Sequence, residues 1–360
     1  MDAERALLVE CLLAAAEPRA ALRVPPATLR PARLVALARR WAVSETAAHA
    51  LLAAGSLDRL GAAAAGDLRS DLENATARNA LLLAEAARFQ QALRADGVTS
   101  VAMKGAALVA AHYPAVGARH VGDLDLLVHP DDAFRALSVL RALGCTPVHA
   151  PLPDLAGRST AGVLPGHPHL PALRTPGGAV CELHHALPGA RGFAAETAGV
   201  LARGRDAPWG GALLRVPSDD DLLGMCCAHA LGHHGADVRF LPRHVADVAV
   251  LVRAGAAGAR AERLCPGDEI GRSLRLVAAA RAARTPEVFP RAGAWPPLAR
   301  ARATLAGTLR DARRGELRRS LFPARAYLAS RYGVAPGSPL LPLLWAWRPL
   351  RALLRIAVGR

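Results

Sequence analysis

Lysine is almost absent from this chain of 360 residues, in which Lys104 is the only lysine among 45 lysine and arginine residues. Asparagine is also scarce, since Asn74 and Asn79 are the only two. The accompanying excess of Ala, Arg, Gly and Pro indicates a compositional bias that acts on the whole chain. A residue that escapes this bias is therefore a functional candidate, and Lys104 is the clearest case.

Aromatic residues make up only 4% of the chain, so few side chains are present on which single-stranded bases could stack. The formal net charge of +15 would otherwise suggest a polyanionic partner, but the arginines are spread along the chain rather than clustered. An ordinary solvated basic surface is therefore favoured over a nucleic-acid-binding surface. The positive charge also suits a smaller anion, such as a nucleoside triphosphate.

The six cysteines have no C-x-x-C spacing and lack the density of a disulfide framework, which predicts reduced thiols. The first residues place acidic side chains before an apolar run, the reverse of a secretory signal peptide. No apolar run reaches the roughly 20 residues that a membrane span needs. These absences predict a cytoplasmic protein without a membrane span.

Hydrophobic periodicity divides the chain into four parts. Residues 1–95 have apolar residues at helical spacing and are predicted to form an N-terminal helical segment. Over residues 96–215, short β-prone runs alternate with helix patterns, as in α/β or α+β domains. Helix patterns return over 216–335, which predicts a C-terminal helical domain. Residues 336–360 are predicted to form a basic apolar tail helix, packed on the core rather than on a membrane surface.

A long loop is predicted inside the central part. Residues 150–178 are rich in Pro and Gly and are too long for an idle connection in a compact domain. We therefore expect a functional loop that lies over a site. The strand pattern "AVCELHHAL" follows over residues 179–187.

Two carboxylates lie close together in the strand pattern "DLDLLV". Because alternate side chains of a strand share a face, Asp123 and Asp125 are predicted to point the same way. Solvent, a shared proton or a cation can relieve their repulsion, and Mg²⁺ commonly takes one or two carboxylates together with substrate phosphates. The preceding Gly122 would let the backbone approach a ligand. Glu182 is the candidate third acid, because a charge within a short apolar strand is costly unless it is paired or metal-bound.

The motifs "MKGAAL", "GDLDLLV" and "ELHHAL", with a Tyr and an Arg between the first two, resemble the uncharacterised nucleotidyltransferase family of the DNA polymerase β-like superfamily. The resemblance covers about residues 30–255. It implies an α+β fold in which a small mixed β-sheet forms a nucleotidyltransferase core, flanked by N- and C-terminal helical segments. It also implies that Asp123, Asp125 and Glu182 form a metal-binding triad.

The sequence departs from the superfamily pattern at the phosphate-binding motif. The wider superfamily has a Gly-Ser pair before the D-x-D, whereas Gly105 is followed here by Ala106. Lys104 is the obvious replacement for the serine, since a compact ammonium group can contact a phosphate as a point charge. We therefore expect Lys104 and Gly105 to hold the triphosphate. The aromatic residue that follows the histidine in the family pattern is a second histidine here, His185.

Two residues near the acidic pattern have competing interpretations. Arg119 either binds the triphosphate or neutralises the acidic pair. His184 shares a strand face with Glu182, so it orients that carboxylate, contacts substrate or is a satisfied core histidine.

The C-terminal helix patterns contain further candidates. His229 and His233 are four residues apart, which suggests a zinc pair, but helix packing or contact with substrate is favoured for His229. Asp247 is an acid in an apolar helix pattern, and it is expected to form a salt bridge with Arg239 or Arg243.

The favoured function is transfer of a nucleoside monophosphate from a triphosphate, with ATP the expected donor, to an acceptor, with release of pyrophosphate. Mg²⁺ or Mn²⁺ is the expected cofactor, and the acceptor is expected to be a small molecule, a protein or a peptide. The alternative is a catalytically silent nucleotide-binding or antitoxin-like regulatory protein of the same fold. The missing serine favours that alternative, while the three retained carboxylates oppose it. A nucleic-acid-binding protein is a third, weaker hypothesis.

Overall fold

The structure of the protein is a computed structural model. It describes residues 3–17, 22, 28–148, 168–187, 193–233, 241–256, 261, 269–282, 288, 337–344 and 347. The fold is a mixed α+β arrangement, as the sequence predicts.

In the described part of the N-terminal segment, helices precede the first strand: α1 (Ala3–Ala14), α2 (Pro31–Arg40), α3 (Ser44–Ala53) and α4 (Ala62–Ala95), with a 3₁₀ turn at Leu57–Leu60. The apolar positions that predicted these helices are buried, including Leu34 in α2 and Leu82, Phe89 and Leu93 in α4. The chain leaves α4 through Gly97, whose φ of 75° is in the left-handed region that favours glycine.

Five strands form one mixed sheet in the order β1-β2-β5-β4-β3. Their bounds, with those of the helices between them, are β1 (Ser100–Ala102), α5 (Lys104–Ala111), β2 (Asp123–Val128), α6 (Ala133–Ala142), β3 (Thr146–Pro147), β4 (Leu173–Arg174) and β5 (Val180–His184). Strands β2 and β5 pair in parallel, whereas the other pairs are antiparallel. The central pair therefore joins the two strand patterns that carry acidic residues.

The long loop predicted over residues 150–178 is partly wrong. Leu173 and Arg174 form β4, because the buried Leu173 pairs with Cys181 of β5. Residues 150–167 of that loop lie outside the described residues.

After the sheet, the described chain contains a hairpin and a second set of helices: α7 (Phe193–Ala202), β6 (Arg205–Trp209), β7 (Ala212–Val216), α8 (Asp219–Cys227), a π-helical segment (Ala228–His233), α9 (Leu241–Arg253) and α10 (Glu269–Arg281). The hairpin of β6 and β7 was not predicted from the sequence. Ser218 caps α8 by accepting a hydrogen bond from the Asp221 amide, so the run of three aspartates lies in the first turn.

The N- and C-terminal helices pack against each other as well as against the sheet. Helix α1 contacts α2 and α3 and also α9 and α10, while α4 contacts β1, β2 and β7. Helix α5 contacts both β2 and α8, so the start of α5 lies between the sheet and the C-terminal helices. The division of the chain at residues 95, 215 and 335 stays a prediction.

Among the described helices, none has the length and apolar character of a membrane span. Most of the predicted tail helix, residues 336–360, lies outside the described residues, and only residues 341–344 and 347 are seen as helical.

Candidate active site

The parallel pairing of β2 with β5 places two carboxylates side by side. Asp125 of β2 is directly opposite Glu182 of β5 in the register, and Asp123 is opposite Val180. Adjacent residues in register on neighbouring strands lie on the same face of a sheet. The acidic cluster, defined as Asp123, Asp125 and Glu182, is therefore formed on one face by two segments that are distant in sequence.

Asp125 is buried, with only 2% of its surface exposed, and two cationic or donor groups contact it. Lys104 Nζ lies 2.9 Å and His184 Nε2 2.8 Å from the same oxygen, Oδ1. Burial opposes ionisation of this carboxyl group, but the His184 hydrogen bond and the Lys104 charge outweigh burial and hold its pKa well below the usual range. Asp125 is therefore a carboxylate.

Glu182 is half-buried and faces two histidines. Its Oε2 lies 3.5 Å from His184 Nε2 and 3.9 Å from His169 Nε2. The His184 contact lowers the pKa of Glu182 against the opposing effect of burial. Burial opposes a charge on His184, yet its hydrogen bonds to Asp125 and Glu182 raise the pKa of the imidazole. The sequence expectation that His184 accompanies Glu182 on one strand face is thus matched by a direct contact.

His169 is a neighbour of the acidic cluster that sequence reasoning missed. It forms an isolated β-bridge with His184, and the two ring centroids are 5.1 Å apart. Its Nδ1 lies 2.8 Å from the Leu170 carbonyl oxygen, which fixes the ring with Nε2 toward Glu182. In the sequence, the only signal for His169 is its position within the Pro- and Gly-rich stretch of residues 150–178.

Asp123 begins β2 and is more exposed than Asp125. Burial by the surrounding chain, together with repulsion from the Asp125 carboxylate, raises the pKa of Asp123 although its side chain reaches solvent. Among the described residues, the compact group of potential ligand atoms, all within 4.8 Å of one another, comprises Asp125, Glu182 and His184. Asp123 is thus the outer member of the acidic cluster.

Lys104 is held next to Asp125 by an unusual backbone conformation. The Met103 amide donates to the Asp125 carbonyl oxygen at 2.9 Å, so pairing with β2 continues up to the residue before Lys104. Lys104 then has a φ of 48°, in the left-handed region that residues with a side chain rarely adopt. This turn starts α5 and leaves the ammonium group beside the acidic cluster, with its side chain 17% exposed.

Close packing favours glycine at position 105. A Cβ at this position would lie 2.5 Å from Arg119 NH1, which is closer than non-bonded atoms approach. At Gly122 an added Cβ would meet only His120, at an ordinary 3.7 Å. The phosphate contact of Gly105 and the ligand approach at Gly122 therefore stay predictions, and packing gives an independent reason for glycine only at Gly105.

Arg119 forms an ion pair with Asp247 of α9. Its Nε and NH2 donate to the two carboxylate oxygens of Asp247 at 2.7 and 2.8 Å, and its NH1 donates to the His120 carbonyl oxygen. Tyr113 Oη donates to the same carboxylate at 2.7 Å. The salt bridge expected for Asp247 exists, and it is formed with Arg119. Arg243 also acts electrostatically on Asp247, and Arg239 lies outside the described residues. A triphosphate contact by Arg119 stays a prediction.

A cleft opens to solvent between Lys104 and the C-terminal helices. His229, carried by the π-helical segment, lies on its wall, and the substrate-facing interpretation of that residue stays a prediction. The side chain of His233 lies outside the described residues, so the zinc pair stays a hypothesis. The described residues that line the cleft are Lys104, Arg119, Cys226, His229, Ala230, Arg243, His244 and Asp247.

The chain is similar in sequence to a known protein family. A model of uncharacterised nucleotidyltransferases matches residues 28–280, which is well over half of the 360-residue chain. No curated protein matches the chain. The matched region contains the acidic cluster, Lys104 and the Arg119–Asp247 pair. The chain therefore belongs to the uncharacterised nucleotidyltransferase family.

Proposed function

We propose that the protein transfers a nucleoside monophosphate from a nucleoside triphosphate, with ATP the expected donor, to an acceptor group. The observation that carries the proposal is the register of β2 and β5, which sets Asp125 beside Glu182 with Asp123 two residues away. Family membership adds the reaction class. In this reaction an acceptor oxygen forms a bond to the α-phosphorus, the bond from that phosphorus to the bridging oxygen breaks, and pyrophosphate leaves.

The residues present fit a divalent cation. Three carboxylates face one ammonium group, Lys104, so the acidic cluster keeps negative charge, and carboxylate oxygens are the donors that Mg²⁺ and Mn²⁺ prefer. Asp123, Asp125 and Glu182 would hold the ion. When bound, such an ion neutralises phosphate charge and polarises the reacting oxygens.

His184 is better suited to positioning than to metal ligation. Its Nε2 contacts Asp125, while its buried Nδ1 has no hydrogen-bond partner among the described residues. A histidine that binds a metal through one nitrogen usually donates from the other nitrogen to a partner. We therefore assign His184 to hold Asp125 Oδ1 in place, which leaves Oδ2 without a hydrogen bond from any described residue.

The remaining residues supply binding and proton acceptance. Lys104 lies both on Asp125 and on the wall of the cleft, so its ammonium group can neutralise either the carboxylate or a phosphate oxygen. Glu182 is ionised, because its pKa is lowered by the His184 contact, and it can accept the proton that the acceptor group loses.

The test is pyrophosphate release by the purified protein with each of the four nucleoside triphosphates, Mg²⁺ or Mn²⁺, and fractions of small molecules, peptides and proteins as acceptors. We expect Asp125→Asn and Glu182→Gln to lower the rate at least about a thousandfold, because each change removes several kcal/mol of charge stabilisation in the transition state. Asp131→Asn is the matched control, since its carboxylate is 86% exposed in the turn after β2. Turnover that persists in Asp125→Asn would contradict the assignment.

A second candidate function is nucleotide binding without turnover. The observation that favours it is the double contact on Asp125 Oδ1, in which the ammonium group of Lys104 neutralises the carboxylate. Nucleotide binding by the wild-type protein, with no pyrophosphate release under any of these conditions, would support this candidate over the transferase.

A further inference from the structure

His169 lies beside the acidic cluster, in the segment just before β4. Its Nε2 is 3.9 Å from Glu182 Oε2, and its ring centroid is 5.1 Å from that of His184. The side chain of His169 is 35% exposed and that of Glu182 is 26% exposed, so solvent reaches both groups. An ion that enters from solution can therefore contact these two side chains together.

A backbone contact determines which nitrogen of the neutral His169 ring carries the proton. Nδ1 lies 2.8 Å from the Leu170 carbonyl oxygen, and a carbonyl oxygen only accepts hydrogen bonds, so Nδ1 is the donor. In the neutral ring Nε2 then has a lone pair and no proton. His169 therefore presents an electron-pair donor to Glu182, rather than a hydrogen-bond donor.

The two facing atoms, His169 Nε2 and Glu182 Oε2, are both acceptors, and they repel unless a donor or a cation lies between them. Among the described residues, none donates a hydrogen bond to Nε2. A metal ion is about 2.0–2.2 Å from its nitrogen and oxygen ligands, so two ligand atoms of one ion are at most about 4.4 Å apart. The 3.9 Å between Nε2 and Oε2 is within this limit, so one ion can bind both.

The contact of Nδ1 is the one that a metal-binding histidine has. Such a histidine almost always donates its other N–H to a carboxylate, a backbone carbonyl or water, which fixes the ring and the tautomer. His169 makes this contact with Leu170. His184 does not, because its Nε2 donates to Asp125 and its buried Nδ1 has no hydrogen-bond partner among the described residues. Of the two histidines, His169 is therefore the one arranged as a ligand.

We propose that His169 Nε2 is a ligand of the ion that binds Glu182, and that this nitrogen makes the site prefer Mn²⁺ to Mg²⁺. The presence of an ion rests on the proposed function, whereas the role of His169 rests on its own contacts. Mg²⁺ takes oxygen ligands, while imidazole nitrogen suits first-row transition metals. Carboxylates suit Mg²⁺ and Mn²⁺ alike, so the acidic cluster alone would distinguish the two ions less.

Electron paramagnetic resonance of Mn²⁺ added to the metal-free protein, without nucleotide, tests this proposal. We expect bound Mn²⁺ whose pulsed spectrum contains the coupling of a directly bound ¹⁴N nucleus. His169→Phe keeps an aromatic ring beside His184 but has no nitrogen. It should lose the coupling and weaken Mn²⁺ binding about 10- to 100-fold, and it should weaken Mg²⁺ binding, measured by competition, less than about threefold.

His169→Gln is a second variant, which can still donate to the Leu170 carbonyl oxygen and should likewise lose the nitrogen coupling. His129→Phe is the matched control, because His129 is 34% exposed and lies 3.4 Å from an oxygen of Asp131, outside the acidic cluster. It should keep the coupling and change the Mn²⁺ affinity less than about twofold. Thermal melts verify that each variant is folded.

Three results would overturn the proposal. The first is a wild-type protein that binds no Mn²⁺, and the second is bound Mn²⁺ without nitrogen coupling in the wild-type spectrum. The third is a folded His169 variant that keeps both the coupling and the Mn²⁺ affinity. The second result needs no variant, so the proposal can fail even if the substitutions prevent folding.

Failure of this inference differs from failure of the proposed function. Mn²⁺ that binds through Asp125 and Glu182 without nitrogen coupling, together with pyrophosphate release, would contradict only the ligand role of His169. Mn²⁺ bound with a coupling that depends on His169, without pyrophosphate release from any triphosphate, would support the ligand role and contradict the transferase.

Discussion

Asp125 and Asp247, two of the almost completely buried aspartates among the described residues, are neutralised in different ways. Asp125 is 2% exposed and Asp247 is 5% exposed. Asp247 has both oxygens bound by the fork of Arg119 and a further bond from Tyr113. Asp125 receives both of its contacts, from Lys104 and His184, on one oxygen.

We interpret this difference as that between a structural charge, Asp247, and a candidate functional charge, Asp125. A bidentate arginine pair satisfies a carboxylate fully and fixes its geometry. Lysine is a point charge on a flexible stem and can move from one anion to another. Asp125 also has Asp123 and Glu182 as neighbours, so its surroundings keep negative charge, whereas two cations, Arg119 and Arg243, act on Asp247. The carboxylate of the candidate active site, Asp125, is therefore incompletely neutralised. The carboxylate that links α9 to the segment before β2, Asp247, has hydrogen bonds on both oxygens.

The largest effect on stability is expected for the Arg119–Asp247 ion pair. Arg119→Met should lower the free energy of unfolding by about 3–5 kcal/mol, because it leaves the Asp247 carboxylate buried without its partner. Urea denaturation measures the change. Arg135→Met, which removes one half of the exposed Arg135–Asp96 pair, should cost less than about 1 kcal/mol and is the matched control. Equal losses in the two variants would refute a special role for the buried pair.

A smaller, pH-dependent effect on stability is expected from His244, which precedes Asp247 by three residues in α9. Burial lowers the pKa of His244 to about 4, and its Nε2 is 2.8 Å from Ser273 Oγ. His244 therefore takes up a proton near pH 6.5 in the unfolded chain but only near pH 4 in the folded chain. Because the unfolded chain binds more protons between these two values, stability falls as the pH drops from 6.5 to 4.

We expect this residue to account for a loss of about 2 kcal/mol between pH 7 and pH 5. His244→Gln should remove that part of the pH dependence, and urea denaturation at several pH values measures it. A variant whose stability falls with pH as steeply as that of the wild-type protein would show that other groups are responsible.

The smallest effect on stability is expected from loss of the Lys104 contact with Asp125. Lys104→Met should change the free energy of unfolding less than Arg119→Met does, because Asp125 keeps the His184 hydrogen bond. Lys104→Arg should nevertheless weaken triphosphate binding about tenfold, since a planar guanidinium does not replace a compact ammonium group beside a buried carboxylate. Calorimetry with ATP tests this prediction, and an unchanged dissociation constant for Lys104→Arg would remove Lys104 from the phosphate site.

The local features of this fold were predictable from the sequence. Strand β2 covers the predicted pattern from Asp123 to Val128, and α4 ends before Gly97. Strand alternation and helix stop signals depend on neighbouring residues, so they are visible without knowledge of the fold. The closeness of Glu182 to Asp125 also followed, but from the resemblance rather than from local pattern.

Long-range partners were not predictable. Arg119 and Asp247 are 128 residues apart, and the sequence favoured arginines close to Asp247 instead. His169, in a segment predicted as loop, forms a single β-bridge with His184, and its side chain lies 3.9 Å from Glu182 Oε2. The parallel pairing of β2 with β5, which creates the acidic cluster, likewise depends on tertiary packing. These contacts are set by topology, which the spacing of residues along the chain does not encode.

The backbone of Lys104 has a consequence for how this chain can change over evolutionary time. A residue with a side chain at a φ of 48° costs the fold about 1–2 kcal/mol relative to glycine. Selection for folding alone would favour glycine there, and the bias toward arginine would favour a second substitution. This chain nevertheless has lysine at position 104. Position 104 is thus a place where the fold accepts a less stable backbone in exchange for one ammonium group, and variants selected only for thermal stability should be expected to lose it.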